Sequence, residues 1–223
     1  TKTIEGLAAL RPSVEAGFHS LLDTYVAHSH SVYANLAACS VECTEMVKKA
    51  LAGADYTWGE VPYTDPGARL TFSIRDELAR VEKETGKRPN VIFMRNHGLI
   101  AHADDPDICL KIHEDVNNRV AEAFGITGAS FPKVGLKKTE CGLVEADCAF
   151  LKEMLSSGEF DEKFFLETPL YPDQMVFLIG AFGFGDGKPE EGQCLADPKT
   201  GRLVFNMDEG KAQVIAETIT AVT

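Results

Sequence analysis

The sequence predicts a single domain of mixed α/β or α+β class, and three observations predict it. Apolar residues recur at helical spacing in several long segments, with short apolar runs suited to strands between them. The two kinds of segment mix without strict βαβ alternation. The 223 residues, 44% hydrophobic and 25% charged, fit one large domain or two small ones. No internal repeat, low-complexity tract or long linker divides them.

The first element expected is a helix near Pro12–Leu22, with Pro12 suited to its first turn and Glu15, Phe18, His19 and Leu22 on one face. Asp23 and Thr24 break it, and Tyr25–Val32 reads as a short strand. Tyr33–Leu51 is Ala-rich, with helical spacing at Leu36, Cys39, Cys43, Val47 and Leu51, and it ends at Gly53. Asp65-Pro66-Gly67 is a turn signature. It opens an amphipathic helix carrying Leu70, Ile74, Leu78 and Val81, which stops at Gly86. Val91–Arg95 has the composition of a buried strand, and Asn96-His97-Gly98 turns out of it. Asp104 fits an N-cap and Pro106 a first helical turn, with Ile108, Ile112, Val116 and Val120 as the core stripe before Gly125. Beyond it the pattern predicts a helix at Asp147–Leu155, a strand at Gln174–Ile179, a turn at Asp197–Gly201, a strand at Arg202–Met207 and a last helix at Glu209–Thr220. The Gly-rich stretch 180–187 runs into Lys188-Pro189-Glu190-Glu191 rather than a helix start, so it reads as an aromatic-bearing surface loop and not a nucleotide loop. Tyr171 reads as a packed core residue. His102, on a loop, and His113, on a helix, read as surface or packing residues.

With 22 Lys+Arg against 34 Asp+Glu, the formal charge is −12. That balance excludes a general affinity for nucleic acid or an anionic membrane surface, and an anionic small substrate would need a locally arranged site. No apolar run approaches the ~18 residues of a membrane span, and no basic start precedes an apolar stretch, so neither a transmembrane helix nor a signal peptide is expected. Six cysteines at irregular spacing, with no CxxC pair, read as reduced thiols of a cytoplasmic protein. Cys39 and Cys43 fit either a metal pair on one helix face or, more simply, small buried thiols.

Three places carry chemistry. In a strand, His28 and His30 project from the same face with Cβ atoms roughly 6–7 Å apart, a spacing that suits two nitrogens meeting one ion. Two unrelated surface or core histidines would give the same spacing. His97 follows the apolar run Val91-Ile92-Phe93-Met94, where Gly98 lets the backbone turn tightly. It reads as a site residue or as a cap on the strand end. Glu15 shares a helix face with Phe18 and Leu22, where a carboxylate needs a partner such as a cation. The other reading is a solvated Glu favourable to a helix N-terminus.

Together, Pro12-Ser13-x-Glu15-x-x-Phe18-His19, an apolar strand, His28-x-His30, a Pro66-Gly67 turn and Asn96-His97-Gly98-Leu99-Ile100 resemble the class II aldolase/adducin family, over roughly residues 10–125. The resemblance implies a central, mainly antiparallel sheet flanked by helices. It implies an aldolase-like domain over residues 1–160, and a C-terminal extension, 161–223, packed on the same domain. Family members carry a further N-terminal segment before this motif, which by the resemblance is either absent here or not included in the sequence. The stretch from Thr168 onward resembles the tail of longer aldolases fused to a dehydrogenase. By the same resemblance His28, His30 and His97 are ligands of zinc or another divalent metal, Glu15 is the catalytic carboxylate, and Ser13 contacts a substrate phosphate. Arg11 joins Ser13 as an anion-binding group, while Val14 stands where fuculose-type enzymes have a second serine. His19 matches a recurrent family histidine with a packing or supporting role. The implied activity is a lyase: a zinc-dependent aldolase that cleaves or forms a C–C bond of a ketose, such as a sugar 1-phosphate, through a metal-stabilised ene-diolate. The alternatives are a sugar-phosphate epimerase or a dehydratase on the same metal scaffold, or a non-catalytic adducin-like interaction module. Pentulose-phosphate 4-epimerases generally lack Glu at the position of Glu15, and adducin-type members lack the metal histidines. A small-molecule sugar or sugar-phosphate substrate and a homotetramer are implied as partners.

Overall fold

A computed structural model describes residues 12–126 and 131–223. The chain falls into two compact units that divide after Gly125. The class is mixed α/β, with two sheets flanked by helices.

In the first unit, helix α1 (Ala16–His19) is followed by β1 (Tyr25–Ser29), α2 (Val32–Ala38), α3 (Cys43–Ala50) and β2 (Trp58–Val61). Then come α4 (Ala68–Thr85), β3 (Val91–Met94), β4 (Gly98–Ala103) and α5 (Pro106–Ala123). The sheet runs β1-β4-β3-β2, with β4 antiparallel to both neighbours and β2 parallel to β3. It is therefore mainly antiparallel, as the resemblance implies. Alternation along β3 feeds two cores. Val91 and Phe93 join Leu99 and Ala101 under α2, α3 and α5, while Ile92 and Met94 join Ile100, Phe18 and the α4 residues Leu70, Ile74 and Leu78.

Helices α4 and α5 match the periodic segments, and α4 ends where Gly86 takes φ 73°, the left-handed conformation glycine adopts without strain. Other elements differ from expectation. The first helix is a single turn, because the chain beyond His19 bends toward β1. The helix expected over Tyr33–Leu51 is two helices. The carbonyl of Ala38 accepts from the Asn96 amide at 3.0 Å, and those of Ser40 and Val41 accept from the Arg95 guanidinium at 2.8 and 3.1 Å, which breaks the ladder. Cys39 and Cys43 thus lie outside one continuous helix; burial raises their thiol pKa values to about 11 and about 12, as expected of inert thiols. The cap of α5 is Asp105, one residue later than expected. Its Oδ1 accepts the amides of Asp107 and Ile108, both at 3.0 Å, while Asp104 accepts from the Thr24 hydroxyl at 2.9 Å. Ile108 faces outward and Cys109 takes the buried position. Strand β4 has no counterpart in the sequence reading: all six of its residues are buried, so it shows no polar alternation. His102 belongs to it, fully buried rather than on a loop, with Nδ1 2.8 Å from Asp23 Oδ2.

The second unit contains β5 (Gly135–Lys138), β6 (Val144–Asp147), α6 (Ala149–Ser156), α7 (Glu162–Glu167) and a π-helix over Gln174–Leu178. It continues with β7 (Phe182–Phe184), β8 (Cys194–Ala196), β9 (Leu203–Phe205) and α8 (Glu209–Val222). Its sheet is ordered β5-β6-β9-β8-β7. Strands β5 and β6 belong to this sheet, so the division falls at Gly125 and not at residue 160. The strand expected at Gln174–Ile179 is the π-helix. Gln174 is fully buried; it accepts from the Leu170 amide at 2.9 Å and donates to the carbonyls of Phe164 and Phe165 at 2.9 and 3.2 Å. These bonds satisfy a polar group that a buried strand position would strand. The stretch 180–187 is likewise not a surface loop, since Phe182–Phe184 form β7 and Phe182 is buried. Tyr171 is buried, as read.

Glu145 on β6 accepts from the Arg202 guanidinium at 2.6 and 3.2 Å, which foremost holds its carboxyl below the usual carboxylate range. A carboxyl lowered by folding stabilises above its unfolded pKa, and that contribution is lost as pH falls through the folded value. Glu145→Gln is therefore expected to destabilise near neutrality by about 1 kcal/mol, Arg202 being half exposed and screened. It should also flatten the acid limb of a melting-temperature profile between roughly pH 3 and 6. Parallel wild-type and variant profiles would refute the pairing.

Candidate metal centre

Strand β1 pairs with β4 in antiparallel register, His28 opposite Ile100 and Ser29 opposite Leu99. Alternation sends Val26 and His28 to the α4 side, where Val26 packs on the core of Phe18 and Ile100. Ser29 goes to the α5 side, where its hydroxyl lies 2.7 Å from His113 Nε2. Just beyond, Ser31 is hydrogen-bonded to Asn117, whose amide donates to the His113 carbonyl at 2.8 Å. His113 is thus a packing residue that ties the His28-x-His30 segment to α5.

His30 follows the last residue of β1. His97 sits in the reversal between β3 and β4, where Asn96 takes φ 51° and the His97 amide donates to Met94 O at 3.1 Å. Asparagine tolerates this left-handed conformation better than most residues with a side chain. Gly98 passes close behind: a Cβ there would lie 2.5 Å from the Ser29 carbonyl oxygen and 3.0 Å from His30 Cδ2. Glu15 flanks the start of α1 but makes no capping bond. Its carboxylate turns instead to the histidines, with Oε1 3.1 Å from His97 Nε2 and 3.5 Å from His28 Nε2.

One ligand-type atom from each of Glu15, His28, His30 and His97 lies within 4.8 Å of all the others. The three imidazoles surround a common point, with ring centroids 5.2, 5.3 and 5.0 Å apart, steeply inclined and not stacked. His28 Nδ1 is 3.0 Å from the Leu99 carbonyl, which can only accept, so Nδ1 carries the proton and Nε2 keeps its lone pair. That Nε2 is buried and without a hydrogen bond, yet it faces a carboxylate oxygen. A lone pair opposite a carboxylate is unfavourable unless a cation stands between them, so the donor set fits a divalent metal. Burial, foremost, lowers the pKa of His28 and of His97, and the neighbouring histidines lower that of His97 further. Burial thus favours the neutral form of both rings, the form a metal ligand requires.

Of the other residues singled out from the sequence, Ser13 is exposed, and its hydroxyl accepts from the Glu15 amide at 3.2 Å. Arg11 lies outside the described residues. Val14 is exposed. His19 is exposed and stacks on Phe18, its ring 6.5 Å from that of His28 and outside the four-residue cluster. Asn35 and Asn117 are not marked as site residues by the sequence. The signal for Asn35 is its place among Ala34, Ala37 and Ala38, a polar residue on a helix face otherwise made of small apolar ones.

The family model of the class II aldolase and adducin N-terminal domain matches residues 1–122. The chain belongs to that family. This class II aldolase/adducin domain also matches a solved structure described as the N-terminal class II aldolase domain of a conserved protein from Thermoplasma acidophilum. The two are 24% identical with a TM-score of 0.41, over 51% of this chain and 48% of the other, so the match spans about half of each. No curated protein matches the chain. The class II aldolase/adducin family holds both lyases and non-enzymatic adducin-type members. Among the described residues, no helix is long and apolar enough to cross a membrane.

Proposed function

We propose that the protein is a metal-dependent aldolase of the zinc type, acting on a ketose of the sugar 1-phosphate class. The reading is carried by one observation, the convergence of Glu15 with His28, His30 and His97. Three imidazoles are a ligand count typical of a catalytic ion with an open coordination position. A divalent ion held there supplies Lewis-acid charge to the oxygens of a bound ketose.

The chain's own residues supply the rest. His28, fixed by the Leu99 carbonyl, and His97, buried in its turn, offer ring nitrogens that need no rearrangement. The Glu15 side chain is about one quarter exposed (23%), so it borders both the buried histidines and the open side from which a substrate enters. In condensation its carboxylate takes a proton from the carbon beside the ketose carbonyl, and in cleavage it returns one. Ser13 holds the Glu15 backbone through its hydroxyl; with Arg11 it belongs to the proposed anion-binding side. A cytoplasmic homotetramer completes the proposal.

The test is metal analysis of the purified protein followed by product analysis. The wild type is expected to carry about one divalent ion per chain, and His30→Ala to lose it. Undiminished metal in His30→Ala would sink the reading. With ketose phosphates as substrates, only an aldolase releases two carbon fragments. An epimerised or dehydrated product would assign the same scaffold to another reaction.

A further inference from the structure

His97 presents two ring nitrogens, and the cluster engages one of them. Nε2 faces Glu15, whereas Nδ1 is buried and has no hydrogen-bond partner. The His97 carbonyl accepts from Asn35 of α2, itself buried, whose Nδ2 lies at 3.5 Å. Its Oδ1 is also buried and unpartnered. The orientation of the amide follows from that carbonyl, which can only accept, so the NH2 group faces it and the oxygen is left over. Two residues already in contact therefore each hold one unsatisfied buried atom, a nitrogen able to donate and an oxygen able to accept. A buried donor or acceptor left without a partner forfeits its full solvation.

We propose that Asn35 is the positioning residue for His97: its Oδ1 accepts the Nδ1 proton through one buried water, and so leaves Nε2 bare toward the cluster. The inference rests on the metal-centre reading, which needs Nε2 unprotonated. Helix α2 suits the task because it begins two residues after His30, and its Ala38 carbonyl also holds the Asn96 amide at 3.0 Å. The segment that delivers His28 and His30 thus continues directly into the helix that orients the third imidazole. Glu15 pulls the other way, since a carboxylate at Nε2 favours a proton there. With the proton on Nδ1, Asn35 accepts it through the water, and Nε2 and Glu15 both face the cluster as donors to a cation.

Cobalt(II) titration of the full chain, read by visible absorption, measures affinity without turnover. Asn35→Leu keeps the side-chain volume and removes both polar atoms, and is expected to weaken cobalt binding about 10–100-fold. Asn35→Asp retains an acceptor oxygen and is expected to keep the affinity within several-fold. A second measurement needs neither metal nor an Asn35 variant. In metal-free Glu15→Ala protein the competing carboxylate is gone, and 15N NMR of the histidine rings is expected to show the His97 proton on Nδ1. Unchanged cobalt affinity in Asn35→Leu, or an Nε2-protonated His97 in Glu15→Ala, would overturn the role. A wild type that takes up no cobalt would overturn the metal reading instead, and the ring measurement would then judge Asn35 alone.

Discussion

An alanine at position 98 is expected to cost the fold about 3 kcal/mol or more and to weaken cobalt binding at least tenfold, read by urea melts and cobalt titration. The added methyl would stand 2.5 Å from the carbonyl oxygen of Ser29 and 3.0 Å from His30 Cδ2. Neither can yield cheaply. The Ser29 carbonyl is main chain, held by the pairing of Ser29 with Leu99 and by the bond from its own hydroxyl to His113. His30 is part of the cluster, so a shift that relieves the overlap moves a ring nitrogen away from the common point. The close approach therefore couples strand packing to ligand geometry in one residue. A Gly98→Ala protein with wild-type midpoint and wild-type cobalt affinity would show that β1 and β4 can separate without consequence.

The second large effect is expected from Glu15→Gln. The substitution keeps the shape of the side chain and removes its charge and its capacity to accept a proton. Turnover should fall about 10²–10⁴-fold, the usual range for a lost general acid–base. The three histidines remain, so cobalt should still bind, within about tenfold of wild type, one donor being weakened rather than three. The loss should lie in kcat and not in KM, because the group is assigned to proton movement. If kcat is preserved and only metal affinity falls, Glu15 is a ligand and the proton carrier lies elsewhere.

The residues of the cluster are legible in the sequence to unequal degrees. The His28-x-His30 spacing was read as a strand face, and β1 is a strand, although His30 lies just past its end. His97 was read at the exit of an apolar strand, and the turn there is real and strained at Asn96. Glu15 was singled out for the wrong geometry. It was placed on the face of a three-turn helix, whereas α1 is one turn and Glu15 flanks it, free of the capping role that would have occupied its carboxylate. Helices α4 and α5 were legible because periodicity and terminal glycines agree over 18 residues each. Strand β4, buried on both faces, offers no alternation to read, and the strands of the second unit are three or four residues long, too short for a period to declare itself. What remained illegible around the site is the pairing of polar groups distant in the chain. Asn35 with His97, and Ser29 with His113, lie 62 and 84 positions apart, and nothing local marks them as partners.

The register of β1 against β4 also sets an order of events. His28 bonds to the main chain of Leu99, 71 positions later. On a chain made from its N-terminus, His28 and His30 emerge well before the strand β4 that pairs with β1, and loop closure over such a span is offset only when that strand arrives. Until then a nascent chain holds only two of the cluster's three imidazoles. The third arrives with residue 97, so the complete donor set is a property of the paired sheet and not of the emerging segment. Completion of the four-residue cluster is in this sense a late step of synthesis, reached only by chains whose edge strand β1 has paired with β4.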